Sequence, residues 1–370
     1  MSVRDLLTRR AAAWSPPTDF TPVGAPALVV TNESTPLGFY DGLRRTAHLD
    51  GYILGPGCGN VLAMAAAFAD EPRGLVLVDV DPAVVCAGRM LVACLARHER
   101  LEDFVRELFC GGEAPLASLE QEVLQAAESA VLKRRMEAQH DRLWEGLALV
   151  TEGFRYRPED VEAWLRKWRD WDPAAHGVPA TGLPVRTSVA SHHGLLRSLA
   201  RRDDIAVLEA SLFDPGLLAA VGELPGFAQS QSLVYLSNAA DHVLRRAVFV
   251  AAKAKLKLGP APADAGTLPR SPAEFLAYVN ERHLARLSAV EGGERPTCFV
   301  YSTTRNELTL CSTFEAPRYR AEDLELGADL GMAIRGFVGG GTAQPGDGVA
   351  AGGWGAAGSL RDLALRLYLA

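Results

Sequence analysis

The stretch YILGPGCGN, Tyr52–Asn60, followed by the run VLAMAAAFA and then by LVLVDVD, Leu75–Asp81, decides the fold. Tyr52 to Leu54 is the apolar end of a strand, and it runs directly into Gly55, Pro56, Gly57, Cys58, Gly59 and Asn60 before a helical run begins. A second apolar strand, Leu75 to Val78, ends in Asp79, about twenty residues past the last glycine. That is the spacing at which an acid reaches a ribose diol in nucleotide-binding βαβ units. Glycines let the backbone pass close under a ligand, a helix start offers free N–H groups, and the acid accepts two hydroxyl protons. The pattern fits an adenosine-containing ligand. A glycine turn that merely closes a βα junction is the structural alternative.

Gly55-x-Gly57-x-Gly59 and Asp79-Val80-Asp81-Pro82 resemble the first motif and the second-strand acid of the class I S-adenosylmethionine (SAM) dependent methyltransferase superfamily. The resemblance covers roughly residues 30–100 and 185–260. It implies an α/β fold, a doubly wound, mostly parallel sheet with a Rossmann-like arrangement, and SAM as cofactor. Gly55, Pro56, Gly57, Gly59, Asn60, Asp79 and Asp81 would hold the cofactor, with Ser211 or Asp214 near the adenine and Ser237 near the sulfonium. The chain departs from the family at Ile53, where an acid usually helps to hold the methionine amino group. An NAD site would prefer GxGxxG, and Leu62 stands where a glycine or alanine would then matter.

The composition sets bounds on partners. With 48% hydrophobic and 22% charged residues, the 370-residue chain reads as an ordinary soluble globular protein. Its formal charge of −7 and the lack of basic runs beyond Lys133–Arg135 argue against nucleic acid. No apolar segment is long enough to span a membrane and the basic N-terminus lacks a signal-peptide core, so a cytoplasmic location is expected. Six cysteines, 58, 86, 94, 110, 298 and 311, show neither CxxC nor zinc-finger spacing, so reduced core residues and no metal site are expected.

Residues 1–30 read as a helix and a Pro-rich extended segment, and 31–100 as the first half of the Rossmann-like domain. Within them Ala27 to Thr31 is a brief β-like run, and Asn32, Glu33, Tyr40 and Asp41 approach the glycine strand. A helix from Pro82 to about Arg97 follows the second strand, with Val84, Val85, Met90, Leu91, Cys94 and Leu95 on its core face. Residues 101–185 lose the strand pattern and become an inserted helical subdomain, a lid or substrate pocket. Trp164, Trp168 and Trp171 share one helix face, which reads as core packing or as an aromatic pocket wall. Tyr156 and His192 are the candidate pocket residues.

The α/β pattern resumes over 186–335: a helix in HHGLLRSLARR, a third strand over Ile205–Leu208, and a helix capped near Asp214 with Pro215 in its first turn. A fourth strand covers Gln231–Asn238, and a hairpin covers Thr297–Thr303 and Leu308–Phe314, hiding Cys298 and Cys311. Residues 336–370 are a Gly-rich tail and a short helix.

Ligands of doubly wound sheets sit outside the carboxyl ends of the strands, which points to Ser237 and Asn238. The triplet Leu236-Ser237-Asn238 is similar to the strand end of enzymes that transfer the 3-amino-3-carboxypropyl arm of SAM. The resemblance therefore implies arm transfer to a small molecule with release of methylthioadenosine, or cyclisation of SAM by its own amine. Conventional methyl transfer and a non-catalytic SAM-binding module are the alternatives. Asp241, His242 and Tyr40 are the candidate general bases, beside Ser237 and Asn238 as groups on the reacting arm.

Overall fold

A computed structural model describes residues 1–11, 14, 39–57, 59–107, 113–145, 192–237, 239–240, 243, 272–303 and 309–319. Six strands form one sheet: β1 (Tyr52–Pro56), β2 (Gly74–Asp79), β3 (Ile205–Glu209), β4 (Leu233–Ser237), β5 (Cys298–Thr303) and β6 (Thr309–Thr313). Their order is β3-β2-β1-β4-β5-β6, with every neighbouring pair parallel except the β5–β6 hairpin. This mostly parallel sheet, flanked by helices, fits a Rossmann-like fold.

Side chains alternate across each strand, and the core divides accordingly. Ile53, Leu75, Leu77, Ile205, Leu233, Tyr235 and Val300 join one apolar cluster with the helices α2 (Phe39–Ala47), α3 (Gly59–Met64) and α4 (Pro82–Arg97). The opposite face carries the intervening residues, among them Tyr52, Leu54, Val76 and Leu208, all buried. There the N-terminal helix α1 (Val3–Ala11) lies against the sheet: a methyl added at Gly74 would meet Val3 Cγ2 at 2.7 Å. Parallel strands buried on both faces explain the near-continuous apolar runs in β1, β2 and β4.

Helix limits follow from local chemistry. Asp81 caps α4, accepting the Ala83 N–H at 3.0 Å, Pro82 fits the first turn, and Arg97 suits the last. Three short helices follow: α5 (Leu101–Val105), α6 (Glu113–Gln125) and α7 (Ala130–Glu137), with further helical residues at 140–145. Leu116, Leu119, Leu132 and Met136 carry α6 and α7 into the same core cluster as α4. The chain re-enters the sheet through α8 (His193–Arg201) and β3, then leaves through α9 (Pro215–Gly222) towards β4. Asp214 caps α9 through the N–H groups of Gly216 and Leu217 at 2.8 and 3.0 Å, as the sequence led one to expect.

Met1–Ser237 and Leu287–Glu315 form one compact unit, and Asn238–Arg286 with Ala316–Ala370 a second. In the second, α10 (Pro272–Arg282) exchanges two hydrogen bonds with Tyr319 through the Asn280 amide, each 2.8 Å. Among the described residues no helix is long and apolar enough to cross a membrane. The cysteines differ from expectation at the edge: Cys86, Cys94 and Cys298 are buried, but Cys311 is only partly covered, on β6, the edge strand among the described residues. The β-like run at 27–31, Asn32 and Glu33, Cys58, Cys110, the tryptophans at 164, 168 and 171, and the 336–370 tail lie outside the described residues.

Candidate functional site at the carboxyl ends of the strands

The crossover helices α3 and α4 pack on one face, and the chain then passes β1 to reach β4 on its other side. The order thus reverses between β1 and β4, and their carboxyl ends lie at the position where doubly wound sheets take ligands. Gly55 makes the strands meet there. A Cβ at this position would lie 2.8 Å from the Tyr235 carbonyl oxygen and 3.0 Å from Val61 Cγ2, so any side chain would push β1 off β4 and α3. Gly57 serves differently. Its φ is +73°, a left-handed conformation that favours glycine, and among the described residues no atom beyond its chain neighbours lies within 4 Å of where a Cβ would be. Against the described residues the turn therefore presents bare backbone.

Three residues form a row along this edge, at the ends of neighbouring strands. Pro56 pairs with Val78 and the Gly57 N–H donates to the Val78 carbonyl at 3.1 Å, so Gly57 falls beside Asp79. On the other side of β1 the paired residues are Ile53–Leu233 and Leu54–Val234, and Ser237 closes β4 beyond them.

Asp79 accepts the Asp81 N–H at 2.8 Å. Burial pushes its carboxyl up to about 7, against the opposing pull of backbone N–H groups from Asp81, Gly57 and Val80, while the Asp81 charge adds to the rise. It is an acceptor held at the edge of ionisation beside an open glycine. Ser237, at the other end of the row, has φ +51°, rare for a residue with a side chain, and the β4–β5 register shifts between Tyr235 and Ser237. Backbone held this way costs about 1–3 kcal/mol and clusters where chemistry needs a side chain aimed.

The other residues singled out from the sequence divide. Pro56 ends β1, Gly59 opens α3 and Ser211 lies just past β3, where its Oγ accepts the Phe213 N–H at 3.3 Å; the Ala210 N–H ties this exit to the Asp79 carbonyl at 3.0 Å. Asp81 is committed elsewhere: one oxygen caps α4, and the other pairs with Arg142 at 2.7 Å. Tyr40 lies on α2, its ring edge-on to Phe39 at 5.8 Å. His192 stands at the start of α8, and its neighbour His193 is buried against Phe104, 5.4 Å between ring centres, at the α4–α5 corner. Asn238, Asp241, His242, Tyr156 and the Asn60 side chain lie outside the described residues.

Three groups escaped the sequence reading. Glu209 ends β3 beside Asp79, and burial raises its carboxyl even though Arg135 stands 2.8 Å away. Arg135 and Arg142 come from α7 and the helical residues after it, so the segment following α5 delivers two cations to the acids at the ends of β2 and β3. No family model and no curated protein matches this chain.

Proposed function

We propose that this chain is a SAM-dependent transferase of the class I methyltransferase type, acting on a small molecule in the cytoplasm and using the 3-amino-3-carboxypropyl arm of SAM. The observation that carries the reading is that Asp79, Gly57 and Ser237 stand at the carboxyl ends of the adjacent strands β2, β1 and β4, at the switch point. Asp79 would accept the ribose hydroxyls, Gly57 would let the ribose and its sulfur lie against bare backbone, and Ser237 would meet the methionine arm. Ionisation near pH 7 suits an acid whose ligand supplies the hydrogen-bond donors that water gave up.

Ile53 favours arm transfer over methyl transfer. Its side chain is fully buried in the apolar cluster, so β1 offers no acid to hold the amine in the family's usual place. Ser237 and the neighbouring Asn238 would hold the arm instead, with its γ-carbon towards the acceptor. In that step the acceptor's electron pair forms the new bond to the γ-carbon and the carbon–sulfur bond breaks. The pair stays on sulfur as neutral methylthioadenosine, and the acceptor's proton passes to a base, for which Tyr40, Asp241 and His242 are the candidates. A sulfonium leaves as a neutral thioether and needs little acid help, so orientation carries most of the rate.

Incubation of the protein with SAM alone and with cell extract, followed by mass identification of the nucleoside, tests the reading. Methylthioadenosine above the spontaneous background is expected. S-adenosylhomocysteine would assign methyl transfer, and neither product with tight SAM binding would assign a binding module.

A further inference from the structure

We infer that the corner where α4 meets α5 is a site for one thiophilic divalent cation, zinc above all, bound by Cys94 Sγ, His98 Nε2 and Glu107 Oε2. These three donor atoms all lie within 4.8 Å of one another. Cys94 Sγ stands 3.4 Å from Glu107 Oε2. Two such ligands on a tetrahedral zinc, with bonds of about 2.3 and 2.1 Å, stand about 3.6 Å apart. His98 Nε2 contacts the same carboxylate oxygen, so a thiol, an imidazole and a carboxylate meet at one point. That donor set suits zinc and rejects the harder magnesium and calcium ions.

The local structure holds the three groups in place without the cation. Cys94 and His98 are four residues apart at the end of α4 and share its face, while the π-helical continuation of α5 at 106–107 brings Glu107 back over them. Arg97 takes the other carboxylate oxygen at 2.8 Å, leaving Oε2 turned towards the thiol and the ring, as outer-shell partners of metal ligands do. A second observation marks the same corner. His193, 6% exposed, packs on Phe104, whose carbonyl oxygen is 4.0 Å from Cys94 Sγ, and His193 Nε2 has no hydrogen-bond partner among the described residues. Its ring thus sits one residue, Phe104, away from the donor cluster, with a buried nitrogen that has no partner among the described residues.

The site is independent of the proposed transfer reaction. Asp81 and His98 cap opposite ends of α4, roughly 25 Å apart along a helix of this length, so the cation lies at the far end of the sheet from the Asp79 row. Its role is structural: it fastens the start of the helical segment to α4.

The test is a cobalt(II) titration of the chelator-treated full chain, followed by zinc displacement. A thiolate-to-cobalt absorption band saturating at one equivalent, and a melting temperature that rises with zinc, are expected. Cys94→Ala and His98→Gln should abolish the band, weaken zinc binding on the order of a hundredfold or more, and remove the zinc-dependent rise in melting temperature. Circular dichroism of the metal-free variants checks that they fold, and His98→Gln, at a partly exposed position, provides a folded comparison if Cys94→Ala does not. Folded wild-type chain that shows no thiolate band and no zinc shift overturns the proposal. So does a band that survives in both variants, since the metal would then sit on other cysteines.

Discussion

Replacing Asp79 by Asn should make the protein more stable at high pH relative to the parent while weakening its hold on an adenosine ligand. The sign follows from linkage. The folded carboxyl sits at about 7, above its ordinary value of 3.8, so the folded state binds the proton more tightly between those values. The stability tied to Asp79 is therefore full below about pH 4, falls as pH rises, and is lost once pH exceeds about 7. Between pH 5 and pH 8 the parent should lose about 2–3 kcal/mol from this group, at 1.36 kcal/mol for each unit of separation. The amide cannot ionise and loses nothing over that range. Its oxygen keeps the Asp81 N–H bond, which in the parent is charge-assisted only above about pH 7, where the carboxyl is ionised. Urea unfolding followed by circular dichroism at pH 5 and pH 8 gives the difference directly. A gap between Asp79→Asn and parent that is the same at both pH values would refute a desolvated Asp79.

Gly57→Ala should cost about 1–2 kcal/mol, since φ +73° is strained for a side chain although the space is open; unfolding midpoints check it, and Gly57→Asn should cost less. Arg142→Met should cost about 3 kcal/mol by leaving the buried Asp81 carboxylate unpaired, and Arg142→Met with Asp81→Asn should recover most of that in a double-mutant cycle. Ser237→Gly should raise stability by about 1 kcal/mol because glycine tolerates φ +51°, while the yield of methylthioadenosine falls; a variant equal to the parent in both measurements would remove Ser237 from the site.

What the sequence made legible were features written within a few neighbouring residues. An apolar run ending in Gly55–Gly59, another ending in Asp79, and the Asp-Pro starts of α4 and α9 each carry their own signal, so the positions of β1 to β6 and the starts of α3, α4 and α9 could be read locally. Glu209 has the same signature as Asp79, an acid closing an apolar strand, and went unread because Ser211 and Asp214 drew attention beyond the strand's true end. Arg135 and Arg142 could not be found that way. Each meets its acid across about sixty or seventy residues, and nothing beside a cation states which carboxylate it will face. Cys94 and His98 were readable as a helical i, i+4 pair, but Glu107 joins them only through the π-helical end of α5, which zinc-finger spacings do not describe. The left-handed Ser237 had no local mark either, since its conformation is imposed by the β4–β5 register shift and not by its own propensity.

The row at the carboxyl edge is tested most directly by calorimetric binding of methylthioadenosine and its 2′-deoxy analogue to the parent chain and to Asp79→Ala. If Asp79 grips the ribose diol, removing the 2′-hydroxyl should cost the parent about 1–3 kcal/mol and cost Asp79→Ala almost nothing. Equal binding of both nucleosides by the parent, or the same loss in both proteins, would contradict it.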